Sequence, residues 1–206
     1  MALHETYDTD DGAIPAGMRR FLKRRSREFL GLAIVAASAF CATAMASYSA
    51  ADPSLNNATD VVTQNWMGSA GAIVADQLFS LFGLGALAFM FIPLSWALRL
   101  LAQDQLDGMK AKLGFWLAAT ITTSCFFSTL PQPENWPIAA GLGGQTGDII
   151  AGGLISLLAV GIKSLLATLV ILFVSAIAAV LLNLKAINVS REQATEALVG
   201  SKERAG

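Results

Sequence analysis

The sequence is poor in charge and nearly empty of the side chains that do chemistry. Only 14% of its 206 residues are Asp, Glu, Lys or Arg, where a soluble domain carries roughly a quarter. Its single histidine, His4, sits in a polar N-terminal segment, so a histidine-based metal cluster is excluded. Cys41 and Cys125 both fall inside apolar runs, where a free thiol is ordinarily a small hydrophobe. There is no Gly-x-x-x-x-Gly-Lys-Ser/Thr phosphate loop, no Cys-x-x-Cys, no His-Glu-x-x-His and no Gly-x-Ser-x-Gly. Nucleotide hydrolysis, zinc chemistry and acyl transfer therefore lack their residues. Gly141-Leu142-Gly143-Gly144 has no following lysine and reads as a flexible turn. No catalytic, cofactor-binding or metal-binding residue is expected, and the chain is not expected to be an enzyme.

What is abundant is apolar sequence, 54% of the chain, gathered into blocks of membrane-spanning length separated by short polar pieces. The pattern predicts an all-α integral membrane protein with four transmembrane helices, at about 29–48, 71–98, 113–130 and 164–184. Residues 1–18 are acidic and read as a disordered tail. Residues 1–27 form this tail plus a basic cluster, 28–184 the membrane domain, and 185–206 a polar tail or the start of a linker. Ser190 and Gln193 have capping-box spacing, so a short helix is expected there.

The last apolar stretch, 149–184, is long enough to raise the question of two spans. Its first part, 149–162, is short and glycine-rich (Gly152, Gly153, Gly161). All but Lys163 of the 14 Lys and Arg residues lie in the N-terminal cluster, in 99–112 or from Lys185 onward. Positive residues are retained on the cytoplasmic side, which favours an even number of spans with both ends inside. Segment 149–162 then reads as an outer-side interfacial or re-entrant helix before the last span, with Lys163 snorkelling at the outer end of that span. Arg19-Arg20 and Ala44-Met45-Ala46 resemble signal-peptide features, but the first apolar block is longer than a signal core. It reads as an uncleaved first helix.

Within the blocks, Asp76 and Lys163 are the intramembrane polar candidates. Ionisable groups at membrane depth are costly and often functional. Asp76 falls near the start of the second block, where a carboxylate also suits a helix N-terminus. Small residues recur at four-residue spacing in Ala33, Ala37 and Cys41 and in Ser175 and Ala179, faces that let membrane helices approach closely. Arg19, Arg20, Lys23, Arg24, Arg25 and Arg27 precede the first block. They are assigned to setting topology and contacting lipid headgroups.

Ser47-Tyr48-Ser49, Asp52-Pro53-Ser54, Asn65, Gly68, Gly71-Ala72, Ala75-Asp76, Leu78-Phe79 and Phe82-Gly83 come in an order, followed by Thr123-Ser124-Cys125 and by Gly143-Gly144 with Gly147, that resembles the N-terminal four-helix membrane domain of FtsK-type (FtsK/SpoIIIE family) DNA translocases. The resemblance covers about residues 28–184. It implies a bacterial inner-membrane protein, multi-pass and placed at the division septum, that serves as a membrane anchor and division-site interaction module for cell division and chromosome segregation. It implies as partners inner-membrane lipids, other cell-division membrane proteins and further copies of itself, a hexamer in the family. DNA would be reached only through an ATPase motor that this chain lacks, so the chain is expected to be a fragment or an anchor-only relative. The span layout places loops 49–70 and 131–147 outside, and with the resemblance this makes Asp52, Pro53, Ser54, Asn57, Trp66 and Trp136 the candidate periplasmic interaction residues. Two other readings fit the blocks alone: a small transporter or channel subunit, which the scarcity of mid-membrane charge disfavours, and a stand-alone structural tetraspan protein.

Overall fold

A computed structural model describes residues 15–102, 108–136, 138 and 140–187. The acidic segment 1–14, the loop 103–107, and the tail from 188 with its Ser190–Gln193 capping spacing lie outside the described residues. The described chain is helical: α1 (Ala16–Ala46), α2 (Gly68–Phe82), α3 (Ala86–Leu101), α4 (Met109–Ser128), α5 (Gly144–Leu158) and α6 (Ser164–Ile187), with a single 3-10 turn at Gly83–Gly85 joining α2 to α3. Three stretches are long and apolar enough to cross a membrane: Gly17–Ala46, Gly68–Leu101 and Ser164–Ile187. The 20-residue α4 is diluted by Lys110 and Lys112 at its start and by Thr120, Thr122, Thr123 and Ser124 further on.

Helices α1, α3, α4 and α6 run alternately up and down. Gly31 of α1 lies against Ala97 and Leu101 of α3, whereas Ala44 and Met45 share a cluster with Ala75 and Ala86. Gly85 meets Ser124 of α4, and one turn further into α3 the Trp116 indole donates to the Phe89 carbonyl at 2.9 Å. Helix α6 then descends along α4. Ile171 clusters with Cys125, Asn183 Nδ2 donates to Thr123 Oγ1 at 3.1 Å, and Trp96 Nε1 donates to the Ala186 carbonyl at 2.7 Å. One end of this bundle carries loop 47–67 and the turns around α5, and is called here the loop end. The other, carrying the Arg and Lys of α1, is the basic end.

The packing is inside out relative to a water-soluble bundle. The buried residues of α6 are mostly small, Ala167, Ser175, Ala179 and Ala186 with Ile171, while Phe173, Val174, Ile177, Val180 and Leu181 point outward and are exposed. The largest side chains buried below 2% exposure are only Ile92, Thr120 and Ser124. Lipid tails remove any hydrophobic incentive to bury Leu or Phe, so close approach through small residues decides the packing.

Three expected boundaries are corrected. Helix α1 begins at Ala16, inside the segment expected to be disordered to residue 18, because the Arg- and Lys-rich turns are good helix formers and Glu28 ties Arg24 and Arg25 across one turn. The second apolar block is not one continuous helix. Gly83 takes φ 55°, which ends α2, and a new helix starts at Ala86. The helix expected over 149–162 is α5, five residues earlier in onset and closed at Leu158. Lys163 lies beyond it, exposed in the turn before α6.

Helix α2 is the element that the apolar pattern hides. It begins at the C-terminal end of α1, where Asn65 and Met67 sit against Gly71. It finishes at Gly83 beside Gly143 and Gly144, level with Ser124, one turn short of the end of α4. Both its ends therefore lie at the loop end, and α2 crosses the bundle while α3 traverses it.

Pro93 sits inside α3 and cannot donate to the carbonyl four residues earlier, which is that of Phe89. The Trp116 indole N–H supplies the missing donor. In a hydrocarbon environment no water would fill this role.

Candidate functional site

Loop 47–67 is held by side chains that reach backbone. Asp52, 3% exposed, accepts from the amides of Gln64 at 2.8 Å and Asn65 at 2.9 Å. Asn65, 5% exposed, donates through Nδ2 to the Ala44 and Ser47 carbonyls at 2.8 and 3.3 Å and accepts from the Met67 amide. It thereby satisfies carbonyls that α1 leaves open at its C-terminus. Gly71 is required beneath it, since a Cβ there would run into the Asn65 side chain. Asn57 donates to the Ala50 and Asp52 carbonyls, and the Ser54 hydroxyl accepts from the amides of Asn56 and Asn57.

Asp76 completes this knot. It is buried, lies in the middle of α2, and accepts from Asn56 Nδ2 at 2.7 Å and from the Tyr48 hydroxyl at 3.5 Å. Its expected place at a helix start is corrected: α2 begins at Gly68, two turns before it, and the carboxylate works as the inner anchor of the loop. Burial first, then the Asp76 charge, hold the Tyr48 hydroxyl above its ordinary pKa. It stays protonated and able to donate.

A second knot closes the loop end without side-chain carboxylates. Gly83, Gly85, Gly143, Gly144 and Gly147 bring the α2–α3 turn, the start of α5 and the backbone of α4 at Ser124 together. A Cβ at Gly83 would overlap the Leu142 carbonyl, and one at Gly143 or Gly147 the Ser124 carbonyl. The Leu84 amide donates to Leu142 at 2.8 Å, and the Ser124 hydroxyl to the Phe82 carbonyl at 3.0 Å. Beside it, Asp148 accepts from the Ser128 hydroxyl and the Gly141 amide.

The residues singled out from sequence thus have different placements. Asp52 turns inward. Pro53, Ser54, Asn57 and Trp136 are half-buried, and Trp136 donates to the Ala140 carbonyl at 3.1 Å. Trp66 is 73% exposed. Its exposed neighbours in the loop, Leu55, Val61 and Val62, carry no signal in the sequence beyond being apolar in a polar stretch. Ser175 and Ala179 are buried within the bundle, whereas Ala33 and Ala37 face outward. Ala37 and the half-buried Cys41 border an outward-open groove of about 230 Å3 formed by α1, α2, α3 and α4. In the basic cluster Arg19, Arg20, Lys23, Arg24 and Arg25 are exposed along α1 and Arg27 is half-buried. Among the described residues no group of three or more His, Cys, Asp or Glu side chains is placed to hold a metal. Asp52 and Asp76 are occupied by hydrogen bonds that hold the fold. This arrangement is suited to presenting a surface.

Residues 23–191 match the family model described as the 4TM region of DNA translocase FtsK/SpoIIIE. The chain is 35% identical over 139 residues to the DNA translocase FtsK of Bradyrhizobium diazoefficiens, covering 68% of this chain and 17% of that protein. It is 33% identical over 133 residues to that of Rhizobium meliloti, covering 65% and 15%. With the DNA translocase FtsK of Azospirillum brasilense the identity is 28% over 163 residues, covering 71% and 26%. The match therefore lies within the membrane region of much longer proteins, and no catalytic domain is evident in it. No solved structure matches. The sequence pattern that resembled this family maps onto the two knots: Asp52, Asn65, Gly71 and Asp76 in one, Gly83, Ser124, Gly143, Gly144 and Gly147 in the other. The chain belongs to the family defined by the 4TM membrane region of the FtsK/SpoIIIE DNA translocases.

Proposed function

We propose that this chain is the membrane anchor and division-site interaction module of a cell-division DNA translocase, placed in the inner membrane at the septum. In this reading α1, α3, α4 and α6 are the four spans, both termini are cytoplasmic, and α2 and α5 lie at the outer face. The observation that carries it is the family match over 23–191, joined to the up-and-down course of these helices with the basic residues of α1 at one end. Loop 47–67, stiffened by its polar knot, holds Trp66, Val62 and Leu55 toward division partners. Its work is positional: it fixes a motor to the membrane and to a place in the cell. Copies would associate through outward small-residue faces such as Ala33 and Ala37, and DNA would be handled by a motor outside these residues.

Single-cysteine variants at Asn57, Gln105, Gln145 and Ser201, with Cys41 and Cys125 replaced, test the topology with a membrane-impermeant thiol reagent. Labelling from outside at 57 and 145 alone is expected. Outside labelling at 201 would put the tail on the wrong face for a cytoplasmic motor and end the anchor reading. A fluorescent fusion that fails to gather at the septum would remove the division-site part while leaving the span count intact.

A further inference from the structure

At the basic end, α1 and α3 enclose a groove of about 550 Å3 lined by Arg25, Glu28, Phe29, Leu32 and Leu101. Its two halves differ in chemistry. Toward the N-terminus of α1 it is ionic: Arg24 Nε and Arg25 Nη1 hold the Glu28 carboxylate at 3.0 and 2.6 Å, and the Arg25 guanidinium lies over the Phe21 ring at 5.5 Å. Toward the C-terminus it is hydrocarbon: Phe29 is 75% and Leu32 60% exposed. The change falls between Glu28 and Phe29, within one residue's rise of about 1.5 Å.

The ionic half is also rich in cations. Arg20, Lys23 and Arg27 lie on the same helix beyond the group in which Arg24 and Arg25 hold Glu28. A guanidinium has about five N–H donors, so the Glu28 bond leaves Arg25 with donors for a further oxygen ligand. A molecule that fits both halves has an anionic head and an acyl chain. Inorganic phosphate makes no use of Phe29, Leu32 or Leu101, and a zwitterionic lipid brings a cation of its own to a stretch already rich in Arg and Lys.

We propose that this groove holds one anionic phospholipid from the leaflet at the basic end. Its phosphate sits on Arg25, and its acyl chain lies along Phe29, Leu32 and Leu101. The inference rests on reading α1 as a membrane span. It goes beyond a general basic flank because it assigns the lipid to one groove, shared by α1 with a residue of α3 that is distant in sequence.

The test is native mass spectrometry of the full chain in detergent, with phosphatidylglycerol or phosphatidylcholine of identical acyl chains added. Preferential retention of phosphatidylglycerol is expected. Arg25→Gln should lower its occupancy about fivefold, the effect of removing one cation at a lipid surface, and Phe29→Ala should lower it as well. Arg19→Gln should leave it within about twofold, since Arg19 does not line the groove. Phe29 is exposed, so its removal leaves the bundle core intact, and a monodisperse elution profile checks this. Equal retention of the two lipids, or equal losses for Arg19→Gln and Arg25→Gln, would replace the site with diffuse attraction. Alkaline carbonate extraction tests the span separately from the lipid site: release of the protein from membranes defeats the span reading itself.

Discussion

The two knots at the loop end solve one problem by opposite means. Backbone groups freed where helices stop have to be satisfied at the edge of an apolar bundle. Around Asp52, Asn65 and Asp76 the solution is a set of side chains, each reaching backbone or another side chain far away in sequence. Around Gly83, Ser124 and Gly144 it is the removal of side chains, so that three backbone segments meet directly. The first solution tolerates a substitute that keeps an acceptor in place. The second tolerates no added atom, because what a Cβ would strike is backbone.

The sharpest break of this contrast is Gly83→Ala. Its φ of 55° disfavours a side chain by about 1–3 kcal/mol, and overlap with the Leu142 carbonyl adds roughly as much again. The expected outcome is loss of the monodisperse peak in detergent size-exclusion chromatography. Gly152→Ala is the control: Gly152 lies within α5, and a Cβ there would meet nothing inside 4 Å. It should match or exceed the parent, gaining up to about 1 kcal/mol of helix propensity. A well-behaved Gly83→Ala protein would show that the junction yields, and the contrast between the knots would collapse.

Next in size is Asp52→Ala, which strips two amides of a charged acceptor and leaves one of them buried, a cost of about 2–3 kcal/mol. Asp52→Asn keeps one oxygen and should recover part of that loss. Limited proteolysis of loop 47–67, read alongside thermal unfolding, distinguishes a loosened loop from a melted bundle. Equal damage from the two substitutions would mean that charge, rather than acceptor geometry, holds the loop.

These particulars explain what the sequence disclosed. The apolar blocks and the charge asymmetry mark the positions of α1, α4 and α6, because lipid solvent selects on composition, which is visible residue by residue. They do not reveal that the second block bends at Gly83, since Phe82, Leu84 and Ala86 are as apolar as a straight span requires. Only the positive φ and the approach of Leu142 explain the break. The order of Asp52, Asn65, Gly71 and Asp76 was readable as a resemblance. Their roles were not, because the Asn65–Ala44 bond joins residues 21 apart and no local pattern encodes it. Asp52 therefore read as a surface residue although it turns inward. Leu101 gave no sign of sharing a groove with Arg25, which depends on the α1–α3 packing.

Between α3 and α4 a third means appears, a side chain replacing a missing backbone donor. Trp116→Phe removes the N–H that serves the Phe89 carbonyl and should cost about 1 kcal/mol. Pro93→Ala restores a backbone donor to the same carbonyl, so the second change should cancel most of the first. A double-mutant cycle measures this coupling. Additive effects would mean that the Trp116 ring, tilted at 35° with its centroid 4.7 Å from that of Phe89, matters through packing alone.

The smallest effect separates structure from function at Asp76. Asn56 and Tyr48 both donate to it, and an asparagine at 76 keeps an oxygen for the nearer of them. If Asp76 is only the inner anchor of the loop, Asp76→Asn should cost less than about 1 kcal/mol and leave loop proteolysis nearly unchanged. A buried carboxylate retained for its charge behaves differently. Stability would then be kept while septal gathering of a fluorescent fusion is lost, since the substitution removes the charge from the polar knot and little else. The first outcome makes both knots purely architectural and leaves exposed residues such as Trp66, Val62 and Leu55 as the interaction surface. The second makes the polar knot part of what a partner recognises, which the glycine knot, built mainly of backbone, is not equipped to be.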